Sequence, residues 1–93
     1  MAFSGEIVPW RGPAPHHFVA VPASRVAEVR AAAAAVTYGW GVVPVTVTIG
    51  ATQWTTSLFP KDGGYLIPIK AAVRRAEELE VGDTVLLRLV IDA

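Results

Sequence analysis

Two cations four residues apart, Lys70 and Arg74, are the side chains of this sequence best placed to bind a ligand. Residues at this spacing lie on one face of a helix, and the segment from Ile69 to Leu79 has helical periodicity. Its basic residues precede its glutamates, which is the reverse of the order that the helix dipole favours. Cations beside the free amides of a helix start would attract an anion. Lys61 lies in the turn before this segment, so we expect these cations to hold a small anion or an acidic ligand group.

The same charges allow a purely structural interpretation. Arg74 could instead pair with Glu77 or Glu78 on its own helix. Tryptophans are similarly ambiguous, because their large flat rings serve both as core packing and as binding surfaces. Of the three tryptophans at positions 10, 40 and 54, we include Trp54 in the candidate site.

The sequence gives little indication of cysteine chemistry, metal binding or catalysis by a serine nucleophile. The chain has no cysteine, which excludes disulfides and thiolate chemistry. His16 and His17 are adjacent, so on a strand their rings point to opposite faces and cannot easily share a metal. No serine has the sequence context of a nucleophile elbow. We therefore expect no metal, no cofactor and no catalytic residue, and the question of enzymatic activity stays open with binding preferred.

Composition restricts the partners. The 93 residues suffice for a single domain over 1–93, and eight basic residues balance eight acidic ones. A neutral chain is not expected to bind nucleic acid. The thirty uncharged residues from 31 to 60 are interrupted by glycines and a proline, so we expect no membrane span. The first residues lack the features of a signal peptide, which predicts a cytoplasmic protein. Charged residues are only 17% of the chain, and we expect a weak homodimer.

Strands should dominate the elements that position the cations. Period-two alternation of apolar residues predicts strands at Glu6–Trp10, His16–Val21, Val43–Ile49, Thr52–Phe59, Tyr65–Ile67 and Thr84–Ile91. Helical spacing predicts one helix from Ser24, as N-cap, to Val36, ended by Gly39, and a second from Ile69 to Leu79. Strand, proline, helix, glycine and strand occur in this order twice. The pattern predicts a mainly β fold, a small closed, double-split-like barrel of about six strands with two short helices.

The residues of the second half also resemble a known family. The segments Gly50–Pro60, Gly64–Lys70 and Ala72–Arg74, followed by Gly82–Val85, are similar to the domain-of-unknown-function family nineteen-oh-five. Trp10 and Phe18–Pro22 resemble its N-terminal portion. The resemblance implies a small closed barrel with two short helices and implies no activity. A more distant similarity, to the swapped-hairpin transition-state regulators and antitoxins, supports the fold, and we do not carry over their DNA binding.

The sequence thus favours an uncharacterised small domain that acts as a non-enzymatic binding or interaction module. Its partner would be a small anionic ligand or a protein. The alternative is a small-molecule or anion-binding enzyme or carrier that uses the barrel end near Lys70 and Arg74. A DNA-binding regulator-like barrel ranks third. A buried, solvent-lined pocket beside Arg74 would favour the alternative, and a filled barrel would favour the interaction module.

Overall fold

The computed structural model describes residues 1–9, 17–34 and 43–92. Trp10, His16, Val36, Gly39 and Trp40 therefore lie outside the described residues. Within the described ranges, six strands and two helices follow the chain as β1 (Ala2–Pro9), β2 (His17–Ala20), α1 (Ala23–Ala33), β3 (Val43–Ile49), β4 (Thr52–Lys61), β5 (Gly64–Pro68), α2 (Ala71–Ala76) and β6 (Thr84–Ile91).

The strands close into a barrel in the order β1-β2-β5-β4-β3-β6. Every neighbouring pair is antiparallel. This confirms the predicted mainly β fold and the closed six-stranded barrel with two short helices. The interior is filled with apolar side chains, because alternate strand residues point inward and are buried, among them Ile7, Val19, Leu58, Ile67 and Leu87.

The two halves of the chain have the same connectivity. Each half contributes two strands, a helix and a third strand, and exchanging the halves leaves the neighbour order of the barrel unchanged. The middle strands of the halves, β2 and β5, pair with each other around Val19 and Ile67. The repeat of strand, proline, helix and strand in the sequence therefore corresponds to a repeat in the fold.

The first strand begins earlier than predicted, at Ala2 instead of Glu6. Its first half pairs with β6, and its second half, from Ile7, pairs with β2. Gly5 lies in the β6 ladder, two residues before the β2 ladder begins, and a Cβ there would collide with Cγ1 of Val19. A glycine reads as a strand breaker in sequence, whereas here it permits a close approach of two strands.

The β3–β4 and β4–β5 hairpins have two-residue turns with glycine where positive φ is needed. Gly50 (φ 57°) precedes Ala51 between β3 and β4, as in a type II′ turn. Asp62 (φ 51°) and Gly63 (φ 80°) connect β4 to β5, as in a type I′ turn. The second turn is tighter than the predicted turn from Pro60 to Gly64, because Pro60 and Lys61 still belong to β4.

The first helix differs from the prediction at its start. Its N-cap is Pro22 and not Ser24, and no side chain caps it. The strand-like bond from Val21 N to Tyr65 O, 2.9 Å, holds the chain extended up to the proline, so the helix starts immediately after it. Its last residue is Ala33, and Val29 and Ala33 are its buried residues. The predicted end at Val36 lies outside the described residues.

The second helix is much shorter than the predicted Ile69–Leu79. Ile69 N donates to His17 O at 2.8 Å, which keeps the chain extended before Lys70, the N-cap. At the other end Glu78 has φ 53°, and Leu79 N donates to Arg74 O at 2.8 Å. These features form a Schellman motif. Ile69 and Val73 are buried, whereas Ala72 and Ala76 are exposed, because the helix has too few turns to present a full apolar face.

Candidate functional site: a cationic cleft

A cleft of about 1010 Å³ lies where the start of α2 meets strands β2, β4 and β5. This volume is in the range of sites for small organic molecules. Its described lining comprises aromatic, aliphatic and proline side chains together with three cations, one histidine and one threonine. These residues are His17, Phe18, Thr56, Phe59, Pro60, Lys61, Leu66, Pro68, Ile69, Lys70, Ala71 and Arg74.

Three of the four predicted site residues line this cleft, namely Lys61, Lys70 and Arg74. The fourth, Trp54, lies elsewhere. Its side chain is 8% exposed in the barrel core, and its strand position pairs with Val47. The structure thus brings the three cations together and places Trp54 apart from them.

Local backbone structure accounts for the placement of the cations. Lys61 is the last residue of β4, directly before the tight turn. Lys70 is the N-cap of α2, and Arg74 N donates to Lys70 O at 3.0 Å. This bond spans one helical turn, so Lys70 and Arg74 lie on the same side of α2, as their spacing predicts.

The helix-dipole argument is wrong for Arg74 and holds only for Lys70, which is the N-cap. It assumed a long helix with Arg74 near the start, whereas Arg74 and Arg75 lie in the last turn of the six-residue helix, where the dipole favours cations. Glu77 is the C-cap and Glu78 follows the helix. The candidate site therefore depends on its side chains and the cleft and not on the amides of the helix start.

The alternative pairing of Arg74 with Glu77 or Glu78 is not found. Among the described residues Arg74 forms no ion pair, and its Nε is buried without a hydrogen-bond partner. Glu77 is engaged elsewhere, because its Oε2 accepts a hydrogen bond of 2.6 Å from the hydroxyl of Thr52. The cleft therefore contains a guanidinium whose charge no described carboxylate neutralises.

Phe18, Phe59 and Leu66 form an apolar wall of the cleft. The rings of Phe18 and Phe59 meet edge to face, with centroids 6.4 Å apart and planes at 75°. Phe59 is 46% exposed despite its size. Leu66 pairs with Phe59 across the β4–β5 ladder. Such a surface favours an apolar body, and the cations favour a negative group.

A second cleft of about 320 Å³ adjoins the first. Phe18, Lys61 and Leu66 line both. The smaller cleft extends over β1 and the end of β2, and its further lining includes Val8, Ala20, Asp62 and Tyr65.

Sequence reasoning missed the aromatic and aliphatic part of this site, and it did not place His17, the first residue of β2, in the cleft. A signal for the apolar wall was nevertheless present. Phe18 and Leu66 alternate with the buried Val19 and Ile67, so apolar residues occupy both faces of β2 and β5. A strand that is apolar on the solvent side as well marks a covered or ligand-binding face.

Two kinds of feature are missing from the residues that the structure describes. Those residues contain no group of three or more histidine, aspartate or glutamate side chains arranged to hold a metal ion. No helix among them has the length and apolar character needed to cross a membrane.

Comparisons with known proteins agree with the resemblance seen in the sequence. A search of curated proteins found no match. The model of the family described as "Domain of unknown function (DUF1905)" matches residues 3–89, nearly the whole chain. The chain therefore belongs to this family of uncharacterised domains.

Proposed function

We propose that this protein is a non-enzymatic binding module that holds a small organic anion in the cleft beside α2. The observation that carries the proposal is Arg74, a cation in an apolar cleft whose buried Nε has no acceptor among the described residues. Buried donors almost always have partners. A bound carboxylate would supply the missing acceptor.

The charges around Arg74 support the same ligand class. Lys70 and Lys61 line the same cleft, and no aspartate or glutamate is among its described lining residues. A carboxylate entering this cleft gains charge-assisted hydrogen bonds, which are about twice as strong as neutral ones. A cationic ligand would meet like charges instead. The cleft is thus selective for negative groups.

The size of the cleft and its apolar wall argue against a simple inorganic ion. Phosphate or sulfate would occupy a small part of about 1010 Å³ and would leave Phe59 and Leu66 in contact with water. An anion with an aromatic or aliphatic body would cover both side chains and gain roughly 25 cal/mol for each Å² of apolar surface removed from water.

A second candidate function is an enzyme or carrier that uses the same cleft. His17 lines the cleft, and histidine is the side chain that most readily transfers protons near neutral pH. Catalysis would need further convergent groups. Among the described lining residues only Thr56 adds a hydroxyl group, and no carboxylate is present to act as an acid or base beside His17, so we place binding first.

The proposal extends to association and location. Leu86 and Val90 on β6 are 67% and 55% exposed, and the exposure of large apolar side chains on one strand supports a weak homodimer. A protein partner would use the same kind of surface. We keep the expectation of a cytoplasmic location, and we rank DNA binding last because the net charge is zero.

The experiment is a thermal-melting series with 1-naphthoate, with sodium chloride at the same ionic strength as reference. Arg74→Gln removes one of the three cationic groups of the cleft, and Arg75→Gln, one position along α2 at an exposed site outside the cleft lining, is the matched control. Binding to the folded state alone raises the melting temperature. We expect 1-naphthoate to raise it in the wild type and in Arg75→Gln but not in Arg74→Gln.

A different pattern would contradict the proposal. If Arg74→Gln melts lower than the wild type but responds to 1-naphthoate as the wild type does, Arg74 has only a structural role. The neutral analogue 1-naphthalenemethanol tests whether charge matters at all. An equal response to the alcohol and to the acid would assign the binding to the apolar wall alone.

A further inference from the structure

We propose that the ligand is elongated, an unbranched alkyl carboxylate of medium length whose head meets Arg74 and whose tail crosses Phe18 into the second cleft. This inference rests on the proposed function and adds the shape and orientation of the ligand. Its basis is the continuity of the two clefts, which share Phe18, Lys61 and Leu66.

The strand register explains why the two clefts form one apolar path. Val8 on β1 is paired with Phe18 on β2, and Leu66 on β5 is paired with Ala20 on β2. Their chain neighbours Ile7, Val19 and Ile67 are fully buried in the barrel. Since successive residues of a strand point to opposite faces, the four paired residues lie on the outer face. They form an apolar strip across three adjacent strands.

The distribution of charge determines the orientation. The larger cleft has Lys61, Lys70 and Arg74 and no described carboxylate. The smaller cleft has Lys61 as well, but Asp62 lines it too. A carboxylate head is therefore favoured beside Arg74 and opposed beside Asp62, and the uncharged tail takes the second cleft.

The apolar strip predicts how the affinity depends on the length of the ligand's alkyl chain. Each methylene that leaves water for an apolar surface improves affinity by roughly fourfold when it is fully buried. A compact ligand confined to the first cleft would show no such gain once that cleft is full. The dissociation constants of hexanoate, octanoate and decanoate therefore measure how far the tail extends.

The experiment is isothermal titration calorimetry of the full chain with these three acids below their critical micelle concentrations. Ala20→Trp fills the second cleft from an exposed strand position, and Ala2→Trp, at an exposed position outside both clefts, is the matched control. We expect affinity to rise by at least roughly fivefold from hexanoate to decanoate in the wild type and in Ala2→Trp. In Ala20→Trp the rise should disappear, while the affinity for hexanoate stays within about twofold of the wild type.

Methyl NMR of the wild type keeps the test decisive if Ala20→Trp does not fold. Decanoate should shift the methyl resonances of Val8 and Ala20, and hexanoate should leave them unchanged. The same measurement excludes binding of micelles or lipid surfaces, because dodecyltrimethylammonium, with a similar tail and a cationic head, should not shift them.

The outcomes separate this inference from the proposed function. Binding of all three acids with equal affinity, lost in Arg74→Gln, would overturn the elongated ligand and leave the anion-binding module intact. A chain-length gain that Ala20→Trp does not alter would place the tail elsewhere and overturn the inference. Absence of binding by any of the acids and by 1-naphthoate would overturn both.

Discussion

Replacing Glu78 with glycine should stabilise the protein, because Glu78 occupies the position at the end of α2 where glycine is usual. Its φ is 53°, and it is exposed. Leu79 N donates to Arg74 O at 2.8 Å and Glu78 N donates to Arg75 O at 3.4 Å, so the residue is fixed in this conformation by the Schellman motif. A residue with a Cβ pays roughly 1–2 kcal/mol for the left-handed region, and glycine does not.

Two further contributions modify the gain in the free energy of unfolding that comes from removing the Cβ. Glycine loses more backbone entropy on folding than glutamate, by about 0.5–1 kcal/mol, which offsets part of the gain. Removal of a negative charge beside the helix C-terminus adds a few tenths of a kcal/mol, roughly 0.3 for so short and exposed a helix. We expect a net gain of about 1 kcal/mol in the free energy of unfolding. For a domain of this size this gain raises the melting temperature by roughly 4–8 °C.

Urea denaturation of Glu78→Gly and Glu78→Gln separates the effect of the backbone conformation from the effect of the charge. Glu78→Gln removes the charge and keeps the Cβ, so it should gain only a few tenths of a kcal/mol, roughly 0.3. If both variants have the same stability, the left-handed conformation costs nothing and the reasoning is refuted. A Glu78→Gly variant less stable than the wild type would show that α2 does not end in this motif.

Three other substitutions test the barrel and its surface. Gly5→Ala should destabilise by roughly 1–3 kcal/mol in a urea melt, because its Cβ collides with Val19, and wild-type stability would contradict the close approach of β1 and β2. Leu58→Ala, fully buried, should cost about 2–5 kcal/mol, and a loss below about 1 kcal/mol would mean that the barrel interior is not filled. Leu86→Lys should convert the proposed weak dimer to monomer in sedimentation equilibrium at high micromolar concentration, and a wild type that is already monomeric there would refute the dimer.

Much of the fold was predictable because the strands obey simple rules. Val43–Ile49 alternates buried valines and isoleucine with half-exposed residues, and its bounds agree with the prediction. Thr84–Ile91 alternates buried with exposed residues, and its bounds also agree with the prediction. Strand ends that depend on tertiary contacts were not predictable. Gly5 looks like a breaker until Val19 is known to lie against it.

The predicted length of the second helix was wrong for a related reason. Local propensity favoured helix from Ile69 to Leu79, but Ile69 is held extended by a bond to His17, fifty-two positions earlier in the chain. A long-range hydrogen bond of this kind leaves no trace in the local sequence. Because the helix is shorter than predicted, Arg74 lies in its last turn and not in its first. Its charge therefore interacts favourably with the helix dipole, and not unfavourably as the sequence suggested.

The candidate site was found in part, and for a partly wrong reason. The i, i+4 spacing correctly placed Lys70 and Arg74 on one side, and the tight turn brought Lys61 to the same cleft. Trp54 was assigned to it by residue type alone, which does not distinguish a buried ring from a binding surface. The apolar wall of Phe18 and Phe59 required strand pairing to be seen.

The central claim, an organic anion bound beside Arg74, is tested most directly by the side-chain Nε–H resonances of the arginines in a ¹H–¹⁵N NMR titration with 1-naphthoate. Arg74 has a buried Nε without a described partner, and Arg75, exposed on the same helix, serves as the internal control. The account predicts that the Arg74 signal shifts with a saturating curve, together with the ring resonances of Phe18 and Phe59, while Arg75 does not move. An unmoved Arg74 signal, or equal shifts at both arginines, would contradict it.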